Sequence, residues 1–277
     1  MADLDGLAVV ITGASSGIGA ATARALAANG AKVLLACRSE SRAASVQDEM
    51  AAAGNPAAGV VAIDLGDLDS VRGAAHAIAG QLPRFDVLIN NAGVGASRGL
   101  TASGFELAFG TNHVGHFLLT TRLLDLLGDG APRRVVTVSS KSHYQAKGID
   151  FDAVRRPTRS RTGMPEYAVS KLANVLFSQE LARRTAGRGI HTYVLHPGVV
   201  ASEIWRSVPR PIRFAMTRFM KSPEDGARTS IYCATSPDVA DDAGRYYTDC
   251  AVKEPNAAAT PELAADLWHR SEEWVAI

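Results

Sequence analysis

The chain has 277 residues, of which 47% are apolar and 21% charged, and its formal net charge is +1 at pH 7. This composition excludes a disordered chain, and the balanced charge excludes a strongly basic nucleic-acid-binding protein. The three cysteines, Cys37, Cys233 and Cys250, show no CxxC spacing. They favour a reducing compartment over a disulfide framework or a cysteine-ligated zinc site.

The start of the chain and its longest apolar helical stretch lack the patterns of targeting and membrane segments. Asp3 and Asp5 precede the first apolar run, where a secretory signal would carry basic residues. Arg122 and Asp125 interrupt the stretch FLLTTRLLDLLG, which is too short and too polar to span a bilayer. We therefore expect a soluble, cytoplasmic protein.

Short apolar runs alternate with longer helical patterns along the chain. Strands are predicted at residues 7–12, 32–37, 59–64, 85–90, 133–139 and 190–195, with a last short strand near 244–248 that closes the sheet edge. Helices are predicted at residues 17–29, 40–53, 67–80, 111–127 and 166–186. Nearly continuous apolar strands between helices indicate a parallel sheet that is covered on both faces. We predict a single α/β domain over residues 1–277, a doubly wound Rossmann fold with about seven strands.

The first predicted strand runs into a glycine-rich turn that opens the first helix. Its sequence is Thr12-Gly13-Ala14-Ser15-Ser16-Gly17-Ile18-Gly19, with GxxxGxG spacing. Gly13 permits the tight turn, Gly17 lets the backbone approach a pyrophosphate, and Gly19 lets the helix pack closely on the strand. The helix N-terminus then offers free N–H groups to the phosphates. The turn predicts a dinucleotide site, and the alternative is a plain tight turn.

The end of the second strand bears on which dinucleotide is bound. Cys37 and Arg38 stand near the place where NAD-binding proteins carry an acidic residue for the ribose 2′-hydroxyl. A guanidinium instead makes charge-assisted, bidentate contacts with a 2′-phosphate. We therefore favour NADP(H) over NAD(H). The alternative is that Arg38 is a solvated loop residue.

Tyr167 and Lys171 are four residues apart in a predicted helix and therefore share one face of it. The ordinary pKa of a phenol is near 10, and a nearby ammonium lowers it by favouring the phenolate. Such a pair could move a proton to or from an alcohol oxygen. Taken alone, a YxxxK pair is also compatible with two ordinary residues of a helix surface.

Further motifs accompany the turn and the Tyr–Lys pair in a fixed order. They are Asn90-Asn91-Ala92-Gly93, Asn112 in a helix, Ser139-Ser140 and His196-Pro197-Gly198. The whole set, over roughly residues 5–250, resembles the short-chain dehydrogenase/reductase family. The stretches SKLANVLFSQEL and HPGVV are similar to its retinol-dehydrogenase-like branch, which acts on apolar aldehydes, ketones and their alcohols.

The resemblance implies roles for the matching residues. Tyr167 would be the general acid in reduction and the base in oxidation. Lys171 would hold the nicotinamide ribose and lower the pKa of Tyr167, and Ser140 would hydrogen-bond the substrate oxygen. Asn112 would hold a water that links Lys171 to solvent. The other residues implied to bind the cofactor are Ser15, Ser16, Ile18, Asp64, Leu65, Asn91, Ala92, Gly93, Pro197, Gly198, Val200 and Ser202.

Two segments depart from the regular alternation. Residues 145–164 carry several basic side chains and form either a solvated insertion or a rim that favours an anionic or bulky substrate. The same insertion could obstruct the helix pair 111–127 and 166–186, through which many members of the resembled family assemble, so the oligomeric state stays open. Residues 203–222 are apolar and basic and stand where that family carries its substrate lid.

The histidines do not predict a metal site, and the chemistry implied by the resemblance needs no metal. His143 follows Ser140 by three residues and either lines the substrate pocket or has a simple loop role. His113 and His116 are interpreted as helix or interface residues.

The expected activity is the NADP(H)-dependent interconversion of an apolar ketone or aldehyde and its alcohol, with reduction as the favoured direction. An NAD-dependent alcohol dehydrogenase of the same family and a non-catalytic NADP(H)-binding regulator are the alternatives. The sequence does not predict the identity or stereochemistry of the substrate.

Overall fold

Eight strands and eight helices can be assigned in the computed structural model, which describes residues 3–128, 132–200 and 221–276. The strands are β1 Ala8–Thr12, β2 Lys32–Cys37, β3 Gly59–Ala62, β4 Val87–Asn90, β5 Arg134–Val138, β6 His191–His196, β7 Tyr246–Thr248 and β8 Ala251–Lys253. The helices are α1 Gly17–Ala27, α2 Glu40–Ala52, α3 Leu68–Gln81, α4 Leu107–Phe109, α5 Gly115–Leu123, α6 Met164–Arg184, α7 Pro223–Thr235 and α8 Pro261–Val275. Ser202 and residues 203–220 of the expected lid lie outside the described residues.

The strands form one sheet in the order β3-β2-β1-β4-β5-β6-β7-β8. Neighbouring strands are parallel, except that β7 and β8 pair antiparallel. The order of the strands reverses between β1 and β4, and in doubly wound sheets ligands bind in the crevice at such a reversal. The predicted doubly wound Rossmann fold is confirmed.

The prediction that the short strand near residues 244–248 closes the sheet is wrong, because one more strand follows it. The segment expected to close the sheet is β7, and β8 adds an antiparallel edge strand beyond it. Asp249 and Cys250 join the two strands and have φ values of 51° and 60°. Two consecutive residues with positive φ make the kind of tight turn that matches the twist of a hairpin. Because this turn contains no glycine or asparagine, the usual signal for a hairpin is missing from the sequence.

Side chains of the central strands alternate between two apolar layers. On β1, Val9 and Ile11 pack in the layer that contains residues of α1 and α7, whereas Val10 packs in the opposite layer. The second layer contains residues of α3, α5, α6 and α8. Period-two alternation within a continuously apolar strand is what a sheet buried on both faces requires.

The predicted helix at 111–127 is interrupted. It consists of α4, a π-helical turn over Gly110–Val114, α5 and a 3₁₀ turn over Leu124–Leu126. Single π-helical turns concentrate at functional sites. This one carries Asn112, which is fully buried.

The face formed by α5 and α6 is covered by α8. The ring of Trp268 meets Phe117 edge-on with centroids 4.9 Å apart and stacks on Phe177 at 5.9 Å. Nearby, Nε2 of His113 lies 2.9 Å from Oγ of Ser271. In the sequence, residues 145–164 were considered as the segment that obstructs this face. In the structure the C-terminal helix α8 covers it instead.

Residues 145–164 pack against the segment that leads into α4. The Arg155 guanidinium lies 4.0 Å from the centre of the Phe105 ring, and the carboxylate of Glu106 accepts hydrogen bonds from Thr158 Oγ1 and from the Phe109 N–H.

Among the described residues, no helix is both long enough and apolar enough to cross a membrane.

Candidate active site

A cavity of about 680 Å³ lies at the carboxyl ends of the central strands. Ser140, Tyr167 and Lys171 line it, whereas Asn112 does not. Every described residue that was predicted to bind the cofactor also lines it: Gly13, Ser15, Ser16, Gly17, Ile18, Gly19, Arg38, Asp64, Leu65, Asn91, Ala92, Gly93, Tyr167, Lys171, Pro197, Gly198 and Val200. The fold thus brings residues from seven separate stretches of the chain to one cavity.

The glycine-rich turn is tied to the segment that follows β4. The hydroxyl oxygen of Thr12 accepts the backbone N–H groups of Asn91 and Ala92, each at 3.0 Å. The side-chain amide of Asn91 donates to the backbone oxygen of Thr12 at 2.8 Å. Two loops from neighbouring strands therefore form one rigid wall of the cavity.

The backbone of this wall leaves little room for side chains at two glycines. Gly13 has a φ of +68°, and a Cβ there would lie 2.8 Å from Cα of Ala92. A Cβ at Gly93 would lie 3.1 Å from Oδ1 of Asn112 and 3.4 Å from Nζ of Lys171. A bare backbone of this kind, at the N-terminus of α1, suits the close approach of a pyrophosphate. The residues present therefore fit a dinucleotide.

Two arginines line the far end of the cavity. Arg38 was predicted there, and Arg42 joins it. Ser39 caps α2 by accepting the Arg42 N–H at 3.4 Å, which places Arg42 in the first helical turn. Burial raises the pKa of the Cys37 thiol, and the charge of Arg42 partly opposes that rise. Arg42 was not predicted from the sequence, although Ser39 is a readable helix cap that places Arg42 in the turn beside the strand end.

Tyr167 lies in the first turn of α6 and is buried. Burial raises the pKa of its hydroxyl above the ordinary value, and a hydrogen bond with Ser140 partly opposes the rise. The hydroxyl oxygen of Ser140 also accepts the backbone N–H of Ser142 at 3.2 Å, and this bond holds the Ser140 side chain at the start of a 3₁₀ turn. The phenol is therefore protonated at neutral pH.

Lys171 is held away from the phenol. Its Nζ donates to the backbone oxygen of Val138 at 2.9 Å and lies 5.7 Å from the centre of the Tyr167 ring. Burial lowers the pKa of Lys171 to about 7. The pKa of Tyr167 is thus raised and not lowered, contrary to the expectation from the spacing of the two residues, because burial dominates both groups.

The side chain of Asn112 makes three hydrogen bonds to its neighbours. Its Oδ1 accepts the Val94 N–H at 2.8 Å, and its Nδ2 donates to the Val94 oxygen at 2.9 Å and to Ser170 Oγ at 2.9 Å. The amide thus joins the π-helical turn to the loop after β4 and to α6. This arrangement positions neighbouring groups and leaves no face of the amide towards the cavity.

His143 is buried, holds the backbone of Ser140 by a hydrogen bond and does not line the cavity. Its Nδ1 donates to the backbone oxygen of Ser140 at 2.7 Å, and its Nε2 accepts the backbone N–H of Asn256 at 3.1 Å. The Asn256 amide in turn donates to the His143 and Ala146 oxygens, each at 2.6 Å. Of the two roles considered for His143, the pocket-lining role is therefore excluded.

The walls of the cavity are mixed. Val94, Tyr144, Met164 and Val199 line it, and so do the polar residues Ser97, Lys141, Ser142 and Gln145. The basic side chains of the insertion, Lys147, Arg155, Arg156, Arg159 and Arg161, are exposed and do not line the cavity. The basic side chains of residues 145–164 therefore form no rim of the cavity, whereas the two end residues of the segment, Gln145 and Met164, line it.

Comparisons with known proteins agree with this geometry. The family model described as short chain dehydrogenase matches residues 7–151. Retinol dehydrogenase 14 from Homo sapiens is 40% identical over 99% of this chain and 88% of its own length. Dehydrogenase/reductase SDR family member 13 from Bos taurus is 43% identical over 98% of this chain and 74% of its own length.

Solved structures place the same architecture in this family. An uncharacterized protein from Mycobacterium paratuberculosis has a TM-score of 0.81 and 34% identity, and the match covers 99% of this chain and 95% of that one. A short chain dehydrogenase from Burkholderia cenocepacia J2315 in complex with NADP has a TM-score of 0.71 and 26% identity, with 93% and 99% of the two chains covered. The chain therefore belongs to the short-chain dehydrogenase/reductase family, in its retinol-dehydrogenase-like branch.

Proposed function

We propose that the protein is an NADP(H)-dependent oxidoreductase that interconverts an apolar ketone or aldehyde and its alcohol. The observation that carries this proposal is that Ser140, Tyr167 and Lys171 line the same cavity as the glycine-rich turn and the two arginines. A proton donor, a polarising hydroxyl and a dinucleotide cradle therefore face one space.

Tyr167 and Ser140 have the chemistry that carbonyl reduction needs. Bound NADPH would supply a hydride to the carbonyl carbon of the substrate, while negative charge develops on the carbonyl oxygen. Hydroxyl donors aimed at that oxygen stabilise the charge. Because the Tyr167 phenol is protonated at neutral pH, it can pass its proton to the oxygen and so complete the alcohol. In oxidation the same hydroxyl takes the proton back.

The choice of NADP(H) rests on the arginine pair. Arg38 and Arg42 line the end of the cavity next to Ser15 and Cys37. Guanidinium groups make strong, bidentate hydrogen bonds with phosphate, and a ribose 2′-phosphate distinguishes NADP from NAD. The Burkholderia relative was solved in complex with NADP, which supports the same cofactor here.

The choice of an apolar substrate rests on the apolar part of the cavity wall. Val94, Met164 and Val199 offer apolar contacts to the cavity that Ser140 and Tyr167 also line. The name of the Homo sapiens relative, retinol dehydrogenase 14, agrees with a substrate that carries an apolar body and one reacting oxygen.

The test is a fluorescence titration of the purified protein with NADPH and with NADH, followed by a panel of apolar ketones and aldehydes. We expect tighter binding of NADPH and loss of its absorbance with at least one carbonyl. Binding of neither nucleotide would contradict the proposal, and equal binding of the two would contradict its choice of cofactor.

A substitution of the proposed acid tests the mechanism in the same assay. In Tyr167→Phe the ring still fills its site but no proton can be passed, so turnover should fall by at least about a hundredfold while NADPH binding persists. Tyr232→Phe is the matched control, because Tyr232 packs against Tyr247 on the other side of the sheet. Substantial residual turnover in Tyr167→Phe would rule Tyr167 out as the acid.

A further inference from the structure

His116 is a buried titratable residue that the proposed chemistry does not use. It lies on α5, four residues after Asn112, and is 1% exposed. Its Nε2 is 2.9 Å from Oγ1 of Thr12, and its Nδ1 is 3.0 Å from the backbone oxygen of Asn112. One ring therefore touches both the glycine-rich turn and the π-helical turn.

Counting donors and acceptors fixes the direction of both hydrogen bonds. A backbone oxygen only accepts, so Nδ1 of His116 must carry a proton and donate to Asn112. The Thr12 oxygen already accepts two backbone N–H groups, from Asn91 and Ala92. Its own O–H has two acceptors within reach, Nε2 of His116 at 2.9 Å and the backbone oxygen of Ile89 at a longer 3.4 Å. A neutral imidazole carries one proton, and Nδ1 holds it, so Nε2 is unprotonated and accepts the shorter bond from Thr12. Burial also lowers the pKa of His116 to about 4, so the ring is neutral.

The hydrogen bonds continue from Asn112 to the catalytic helix. The Asn112 amide donates to Ser170 Oγ at 2.9 Å, and the Ser170 hydroxyl donates to the backbone oxygen of Tyr167 at 2.8 Å. Thr12, Asn112 and Ser170 are each 0% exposed. The result is one continuous buried chain of polar groups from the nucleotide turn to the residue that bears the proposed acid.

We propose that His116 is a positioning residue that links the glycine-rich turn, through Asn112 and Ser170, to Tyr167. The proposal rests on the proposed function for its catalytic consequence. The two ring nitrogens have separate tasks. Nε2 orients the Thr12 hydroxyl, and thereby the Asn91–Ala92 wall of the nucleotide site, whereas Nδ1 holds the backbone of the π-helical turn.

Two conservative variants separate these tasks. In His116→Asn the amide nitrogen stands near the place of Nδ1, so the bond to Asn112 is kept and the bond to Thr12 is lost. In His116→Gln the amide oxygen stands near the place of Nε2, so the bond to Thr12 is kept and the bond to Asn112 is lost. The exposed His76 on α3 provides the matched controls His76→Asn and His76→Gln.

The expected results differ in kind. His116→Asn should weaken NADPH binding by about threefold to tenfold, the effect of one lost hydrogen bond, and keep kcat within about twofold. His116→Gln should keep the NADPH Kd within about twofold and lower kcat by about tenfold to a hundredfold, because small misplacements of reacting groups are costly. Equal behaviour of the two variants in both measurements would overturn the proposal.

A measurement on the unaltered chain needs neither turnover nor a variant fold. In nuclear magnetic resonance spectra of the full chain labelled with ¹⁵N-histidine, His116 should be the neutral Nδ1–H tautomer from pH 6 to pH 8. An Nε2–H tautomer could not donate to Asn112 and would overturn the proposal. Failure of the unaltered protein to reduce any carbonyl would instead count against the proposed function, while the tautomer and the NADPH affinities would still decide the role of His116.

Discussion

Lys171 and Val138 are joined by a hydrogen bond of 2.9 Å between Nζ and the backbone oxygen at the end of β5. The amide of Asn174, one turn further along α6, donates to the same oxygen at 3.1 Å. In return, the hydroxyl of Ser139 donates to the backbone oxygen of Lys171 at 2.7 Å. The strand end and the helix thus hold the lysine in place, but one carbonyl does not replace the water that a buried ammonium loses.

The first prediction follows from the lowered pKa of Lys171, which is about 7 in the folded protein and near 10.4 in the unfolded chain. Between these values the unfolded state binds more protons, so the free energy of unfolding contributed by this group rises with pH. We expect the unaltered protein to gain up to about 2 kcal/mol relative to Lys171→Met between pH 7 and pH 9.

Urea unfolding of both proteins without cofactor, at a series of pH values, measures this difference. Groups that the two proteins share cancel in the comparison. Arg122→Met, on α5, serves as a control for loss of a cation and should show no trend over the same range. A constant difference between the unaltered protein and Lys171→Met from pH 7 to pH 9 would show that Lys171 keeps its ordinary pKa.

The second prediction concerns the backbone of the nucleotide turn. In Gly13→Ala the new Cβ would lie 2.8 Å from Cα of Ala92, so the wall of the cavity must shift and dinucleotide binding should be lost. Gly54→Ala is a matched control, because Gly54 has a similar φ of +81° but no atom within 4 Å of the new Cβ. Both variants bear the strain of a positive φ, about 1–2 kcal/mol. Intact NADPH binding in Gly13→Ala would show that the turn tolerates a side chain.

Much of the sheet follows from the apolar runs, because strands covered on both faces leave a continuous pattern in the sequence. The runs that became β1, β2 and β4–β6 were bounded to within about two residues, which is the usual uncertainty of strand ends. The Asp249-Cys250 turn could not be predicted, because a cysteine seldom adopts a positive φ and stands where such turns usually carry a glycine. Helix α8 was not predicted, although the sequence carries the signal for it. After the Thr260 cap, the buried residues recur at helical spacing: Ala264, Leu267, Trp268, Ser271 and Val275.

Of the candidate site, too, one part could be predicted from the sequence and another could not. The motifs and the family resemblance that they carry predicted a set of residues whose described members all line the cavity, except Asn112, because these motifs lie at the ends of parallel strands or in the helices that follow them. The pKa values of Tyr167 and Lys171 could not be predicted in this way. A spacing of four residues places two side chains on one face of a helix. It does not predict how deeply they are buried, or that the backbone oxygen of Val138 at the end of β5 accepts the hydrogen bond of Lys171.

The third prediction concerns cofactor discrimination. Arg38→Ala and Arg42→Ala should each weaken NADPH binding by about tenfold to a hundredfold, as expected for a lost charge-assisted hydrogen bond, and leave NADH binding within about twofold. Arg72→Ala is the control, since Arg72 pairs with Asp69 at 2.7 Å on the surface of α3. Calorimetric titration with each nucleotide measures the ratio. Equal losses for NADPH and NADH would show that the arginines do not contact the 2′-phosphate.

The last prediction concerns the helix that covers the α5–α6 face. Trp268 packs on Phe117 and Phe177, and the Arg184 guanidinium lies 4.6 Å from the centre of its ring. Trp268→Ala should lower the free energy of unfolding by about 3–5 kcal/mol, since it removes a large buried ring. NADPH affinity should be unchanged, because Trp268 does not line the cavity.

The neighbouring His269 provides the control on the same helix. Its side chain is 71% exposed and lies 3.3 Å from Glu273, so His269→Ala should change the free energy of unfolding by less than about 0.5 kcal/mol. Urea unfolding measures both variants. A loss below about 1 kcal/mol in Trp268→Ala would mean that α8 is not docked on α5 and α6 in solution, and the face would then be free to contact a second copy of the chain.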